Sequence, residues 1–409
     1  MKIKDIGTVV TGKTPATSHA EFYDGDYMFV TPTELHGGYK VSSSEKTITD
    51  EGIKSIKSNT IDGISVLVGC IGWDMGNVAM CFEKCATNQQ INSITKIRDC
   101  FNPYYLYYWL STKKDFLFSI ASVTRTPILS KGVFEEIEIP NTDRLEQDKI
   151  SKTLLLLDQK IEYNAAINDN LQQQLKLMYD YWFNQFDFPN EDGKPYRASG
   201  GKMRYSHRLK RDIPEGWTEE SVISNSISAP IKPGVEPFST KIYLATADVS
   251  GTRLSAGSLI DYETREGRAN MQPTVSSVWF AKMKNSIKHL FLNREMNQLI
   301  DSTILSTGFC GLQCTDKSFE YIAAFIEHSY FEDIKNILAH GATQESVNND
   351  DLLGLAMLVP TSEVLEMFHA KAKPLYAQIS QNICENQKLT EIRDWLLPML
   401  MNGQATISD

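Results

Sequence analysis

From Ile150 onward, apolar and amide side chains recur at alternating steps of four and three: Ile150, Leu154, Leu157, Ile161, Asn164, Asn168, Leu171, Leu175, Met178 and Trp182. This is the a/d seam of a coiled coil, and it predicts one long helix over residues 143–186. Asp143 followed by Glu146 supplies a capping-box start, and Phe186-Asp-Phe-Pro189 supplies a stop. At about 1.5 Å per residue, 143–184 makes a rod of roughly 60 Å. The same seam returns later in the chain. Ile379, Asn382, Asn386 and Leu389 lie 218 positions after Ile161, Asn164, Asn168 and Leu171 (379 − 161, and so on). The offset also pairs Leu157 with Leu375, Ile150 with Phe368, Met178 with Leu396 and Trp182 with Leu400. A second helix is therefore predicted over 362–403, with Pro374 either kinking it or marking its true first turn. Asparagine on an apolar seam costs stability unless it finds a partner, and its best-attested use is fixing register. Two such helices in one chain point to an intramolecular antiparallel coiled coil with Ile161, Asn164, Asn168, Leu171, Ile379, Asn382, Asn386 and Leu389 at the interface. The other reading leaves the asparagines on a solvated edge.

The stretches before the two helices resemble one another more loosely. Each carries short β-rich runs, Tyr27-Met-Phe-Val-Thr31 and Ile64-Ser-Val-Leu-Val68 in the first, Lys241-Ile-Tyr-Leu-Ala245 and Ser276-Ser-Val-Trp-Phe280 in the second. Each continues with an aromatic helix candidate, 104–109 and 319–331, then a threonine-containing loop (124–131; 343–347) and a strand ending at Pro140 or Pro360. The predicted class is α+β: two similar mixed α/β domains, 1–142 and 187–361, separated by the long helices. Residues 187 to about 214, ending Ile213-Pro-Glu-Gly-Trp217, read as the linker into the second domain.

The length of 409 residues agrees with two to three domains at roughly 150 residues each. No window approaches the ~18 uninterrupted apolar residues of a membrane span. Met1-Lys-Ile-Lys-Asp-Ile-Gly contains no apolar run of the signal-peptide kind, so a cytoplasmic protein without membrane partners is expected. The net charge of −10 (41 Lys+Arg against 51 Asp+Glu) disfavours a stand-alone nucleic-acid binder but says nothing of where charge sits. Lys194, Arg197, Lys202, Arg204, Arg208, Lys210 and Arg211 form a basic run with no acid before Asp212. It is either a solvated linker or a strip that tracks phosphates. Seven cysteines, an odd number with no C-x-x-C pair, argue for free thiols and against a zinc site.

Enzyme motifs are near misses. Asn102-Pro-Tyr-Tyr105 resembles the Asn-Pro-Pro-Tyr loop of adenine methyltransferases, but the second proline and a Gly-rich strand-to-helix turn are missing; Pro103 instead suits a first helical position. Gly7-Thr-Val-Val-Thr-Gly12-Lys13-Thr14 satisfies the letters of a phosphate loop, yet its middle consists of strand formers and Pro15 follows. Glu135, Glu136 and Asp143 to Asp148 place carboxylates at a helix start, where they complement its dipole.

Several segments together resemble the specificity subunit of type I restriction–modification enzymes. They are Leu155-Leu-Leu-Asp158-Gln-Lys-Ile161-Glu-x-Asn164-x-x-x-Asn168-x-x-Leu171, the Tyr181-Trp-Phe exit, Ile213-Pro-Glu-Gly-Trp217, Thr87-Asn-Gln-Gln90, and Asn386-x-x-Leu389-x-x-x-Arg393-Asp-Trp-Leu-Leu-Pro398. The resemblance implies a non-catalytic reader of double-stranded DNA with two target-recognition domains, each reading one part of a bipartite site. The paired helices would act as a spacer ruler and dock two methyltransferase (modification) subunits, with restriction (motor–nuclease) subunits joining the complex. S-adenosylmethionine, ATP and Mg would then belong to the partner subunits, with no cofactor or metal in this chain. Expected DNA contacts are Lys13, Thr14, Arg125, Thr126, Ser130 and Lys131 in the first domain, and Arg204, Arg208, Lys210, Thr343 and Gln344 in the second. Arg and Gln can read base edges, whereas Lys mostly holds phosphate. The competing readings are a related system lacking the motor, a stand-alone DNA-modifying enzyme, and a coiled-coil adaptor.

Overall fold

Short β-branched and aromatic runs pair into two four-stranded sheets in each half of the chain. The computed structural model describes residues 1–407 apart from Thr124 and Thr252. It divides into two units, Met1–Lys160 with Leu389–Asp409, and Ile161–Lys388. Each long helix therefore contributes to both units, where the sequence suggested separate spacer segments.

In the first unit the strands are β1 (Thr8–Thr11), β2 (Tyr23–Val30), β3 (Lys46–Ile48), β4 (Thr60–Ile61), β5 (Ser65–Gly69), β6 (Val78–Cys81), β7 (Cys85–Thr87) and β8 (Ile91–Thr95). One sheet has the order β1-β8-β5-β6 and the other β3-β2-β7-β4; β2 and β7 run parallel and the remaining neighbours antiparallel. The uninterrupted apolar run of β5 follows from burial on both faces. Val66 and Val68 pack towards the aromatic helix α1 (Pro103–Ser111), and Leu67 packs with Val30, Ile61, Ala79 and Cys85.

The second unit repeats this topology. Its strands are β9 (Ser228–Pro230), β10 (Lys241–Leu244), β11 (Ser258–Ile260), β12 (Ala269–Met271), β13 (Ser277–Ala281), β14 (His289–Leu292), β15 (Thr303–Ser306) and β16 (Phe309–Cys314). The sheet orders are β9-β16-β13-β14 and β11-β10-β15-β12, with β10 and β15 parallel. Eight strands thus match eight strands in order, partner and direction. The predicted helix over 319–331 is interrupted: Phe319–Glu327 and Ser329–Leu338 are two helices, because His328 is extended and caps the second by accepting from Tyr330 N.

The 187–214 segment is an ordered element, not an open linker. Met203–Ser206 pairs with Arg211–Pro214 as a hairpin, and Phe188 stacks on Tyr196 and Trp217 at centroid distances of 4.6 and 5.3 Å. The strand ending at Pro360 is Ala356–Val359, paired with Thr218–Ser221; before Pro140 there is only a bridge from Glu138 to Lys2.

The first long helix, α2, spans Arg144–Tyr179, and the chain then makes a π-helical turn at Asp180–Asn184. The second, α3, runs unbroken over Ser362–Met401. Pro374 lies well inside it and does not mark its start. A proline forfeits one N–H bond, and the apolar face from Phe368 to Ile383 is buried on both sides of it, which carries the helix through.

Candidate nucleic-acid interface and helix seam

The seam residues meet in the second unit. Asn164 Nδ2 donates to Asn386 Oδ1 at 2.9 Å and to Glu385 Oε2 at 2.6 Å, and Asn386 Nδ2 donates to the Ile161 carbonyl at 3.2 Å. Asn382 Nδ2 donates to Asn168 Oδ1 at 2.8 Å. Residue 164 faces 386 and 168 faces 382, so the pair is antiparallel. Asn164 and Asn168 are each 1% exposed and Asn382 4%, which rules out the solvated-edge reading. Ile379 is buried in the same core, while Ile161, Leu171 and Leu389 are half-buried. Asn168 Nδ2 is a buried donor with no hydrogen-bond partner among the described residues.

A seam residue that heptad counting misses sits in the first unit. Asp158 is buried between seam positions; its Oδ1 accepts from Arg393 Nη1 at 2.8 Å and its Oδ2 from the Tyr108 hydroxyl at 2.6 Å. Burial opposes the charge on Arg393, but the hydrogen bond and charge of Asp158 outweigh it and raise its pKa further. Burial, then the adjacent Asp158 carboxylate, pushes the Tyr108 phenol up, so it remains a donor. The node ties both long helices to α1. The signal was present in the sequence as the Asp158 and Arg393 letters of the resemblance, without a reason for them.

Among the expected DNA contacts, Lys13 is exposed on the loop after β1, and Thr14 Oγ1 donates to Gln89 Oε1 at 2.9 Å. Gly12 is required there, since a Cβ would lie 2.2 Å from the Asn88 carbonyl oxygen. The structure therefore joins the Gly12–Lys13–Thr14 segment to the Thr87-Asn-Gln-Gln90 turn, with Thr8–Thr11 a strand and no phosphate cradle. Arg125 and Thr126 are exposed at the tip of the 122–128 hairpin; Thr124 of the same loop lies outside the described residues. Ser130 caps a short helix by accepting from Val133 N at 3.4 Å, and Lys131 pairs with Glu135 at 3.6 Å.

In the second unit Arg204 lies in the first strand of the 203–214 hairpin, opposite Ile213. Its guanidinium donates to the Trp217 carbonyl at 2.6 Å and pairs with Glu219 at 3.4 Å, fastening the hairpin to the next strand. Arg211 of the same basic run lies over the Phe186 ring at 4.7 Å. Arg208 and Lys210 are exposed at the hairpin turn, and Thr343 and Gln344 on a separate exposed turn, where Gln344 Nε2 lies 3.1 Å from Met283 Sδ. Asn102, which invited a methyltransferase reading, caps α1 by accepting from Tyr104 N and Tyr105 N and donates to Asp148 at 2.6 Å. It is committed to the fold. Cys70 and Cys310 are buried, which pushes each thiol up to about 12, too high to supply a thiolate nucleophile. No helix is long and apolar enough to cross a membrane among the described residues.

Two copies of one eight-stranded fold, each feeding a long helix with a polar-studded seam, define a duplicated two-domain α/β chain. The family described as type I restriction modification DNA specificity domain matches residues 1–173. The chain is 26% identical over 431 aligned positions to the type I restriction enzyme MjaIX specificity subunit of Methanocaldococcus jannaschii, covering 100% of this chain and 93% of that protein. To the HindI specificity subunit of Haemophilus influenzae it is 21% identical, over 64% of this chain and 68% of the relative. In fold it is similar to the type I restriction–modification S subunit from M. genitalium, with a TM-score of 0.53, 14% identity, and 98% and 95% coverage of the two chains. Over its whole length the chain is thus similar to a type I restriction enzyme specificity subunit, and its first 173 residues match the DNA specificity domain family.

Proposed function

We propose that this chain reads a bipartite site on double-stranded DNA, one part with each unit, and performs no catalysis itself. The observation that carries this reading is the duplication of the eight-strand topology with differing loops: one scaffold, two distinct sets of contacts. The buried Asn pairs hold α2 and α3 in a single register, as a spacer ruler requires. Two modification subunits dock on the chain, and Leu156 and Trp395, 57% and 61% exposed on the long helices, are apolar surface suited to such partners. S-adenosylmethionine resides on those subunits, ATP and Mg on the restriction subunits, and the complex works in the cytoplasm. An acidic chain fits this division, because the partners supply much of the phosphate neutralisation.

The test is methyl transfer from labelled S-adenosylmethionine to DNA, with the chain alone and with its modification subunits. Transfer only in the mixture is expected. Transfer by the purified chain alone would make it an enzyme and overturn the reading.

A further inference from the structure

The duplicated topology allows the DNA-facing loops of one unit to be located from the other. This step rests on the proposed DNA-reading function. In the first unit, Gly12 N donates to the Ile91 carbonyl beside the Thr11–Asn92 pair; in the second, Ile231 N donates to the Gly311 carbonyl beside the Pro230–Leu312 pair. The registers therefore equate Gly12 with Ile231, and Lys13 with Lys232.

Three segments converge at this end of the first unit. The loop after β1 is tied to the residues before β4 by Asn59 Nδ2 donating to the Thr11 carbonyl at 2.9 Å, and to the β7–β8 turn by the Thr14–Gln89 bond. The same three meet in the second unit. Gly234 N donates to the Asn270 carbonyl at 2.8 Å, and Thr307 N, in the β15–β16 turn, donates to the Arg268 carbonyl at 2.8 Å. In the first unit residues 12–19, 54–59 and 88–90 contain Lys13, Lys54 and Lys57 and no Asp or Glu. In the second, residues 231–235, 265–268 and 307–308 contain Lys232, Arg265 and Arg268 against one acid, Glu266. In a chain with a net charge of −10, both loop clusters carry net positive charge at topologically matched positions, which the basic run of 194–211, lacking a counterpart in the first unit, does not. Lys13, Lys57, Lys232 and Arg268 are exposed.

We infer that these matched three-loop clusters are the DNA-contacting faces, and that in the second unit Lys232 and Arg268, not the Arg208–Lys210 hairpin, hold the phosphate backbone. Gln89, exposed at the centre of the first cluster with an amide able to address an adenine edge, reads a base of the first half-site.

The experiment uses the complex reconstituted with its modification subunits. Three paired variants are compared: Lys13→Ala with Lys57→Ala, Lys232→Ala with Arg268→Ala, and Arg208→Ala with Lys210→Ala. Each of the first two pairs is expected to flatten the slope of log affinity against log salt by about two, one per lost phosphate contact, and the third to leave it unchanged. Gln89→Ala is expected to relax one position of the methylated motif in one half only. A slope altered by the hairpin pair but by neither loop pair would overturn the assignment while leaving the DNA-reading function intact. A wild-type complex with no salt-dependent DNA binding would overturn both. Unchanged thermal midpoints of the variants separate lost contacts from lost folding.

Discussion

Replacing Arg393 by methionine strands a carboxylate. Asp158 is 4% exposed and would keep only the Tyr108 hydroxyl as a donor. Breaking a buried ion pair from one side costs about 3–5 kcal/mol. The Arg393 side chain is itself 27% exposed, so solvent screening reduces this to about 2–3 kcal/mol. The reverse change, Asp158→Leu, leaves Arg393 with Asp394 at 2.8 Å and costs less, about 1–2 kcal/mol. The double variant should lose less than the sum, with a coupling of about 1–2 kcal/mol. Urea unfolding of the full chain and its variants at pH 7 measures these losses. Equal losses for the two single variants, or losses that simply add in the double variant, would refute the assignment of Asp158 as a buried charge neutralised by Arg393.

Three further outcomes follow from the packing. Asn382→Leu alone should destabilise by about 1–3 kcal/mol, since it removes the partner of buried Asn168; adding Asn168→Leu should recover that loss but alter the spacer length accepted in methylation mapping. Glu332→Gln should cost about 3 kcal/mol in thermal or urea unfolding, because Lys335, 0% exposed and 2.7 Å from Glu332, would remain a buried cation. Burial alone would raise the Glu332 carboxyl, but hydrogen bonds from His289 and Lys335 outweigh it and hold its pKa below the ordinary range. Its contribution should therefore be present above that range and disappear as pH falls through the lowered folded-state value, measurable as a wild-type-minus-variant difference that closes in acid. Trp217→Ala, which empties the stack with Phe188 and Phe186, should lower stability by about 3–5 kcal/mol and expose the 187–214 hairpin to limited proteolysis.

The long helices were legible because a/d periodicity repeats over many turns, and the buried asparagines were legible because they break an apolar seam at the same offset twice. Asp158 escaped that logic. It lies beside the seam, and its partners Tyr108 and Arg393 are distant in sequence, so no local pattern signals the pair. The doubling of the domains showed only loosely in the strands, whose sequences diverge while their registers match. Charge density in the basic run of 194–211 does not reveal what each side chain holds: the Arg204 guanidinium reaches Trp217 and Glu219. The cations at 232 and 268, far apart in the chain, are brought to one end only by the sheet order.

The most direct test of two reading units in one chain is the methylation map of DNA from cells carrying this chain with its modification subunit, read at single-base resolution. Two short specified blocks separated by a run of fixed length in which any base is accepted are expected. A single unbroken block of specified bases would contradict the account.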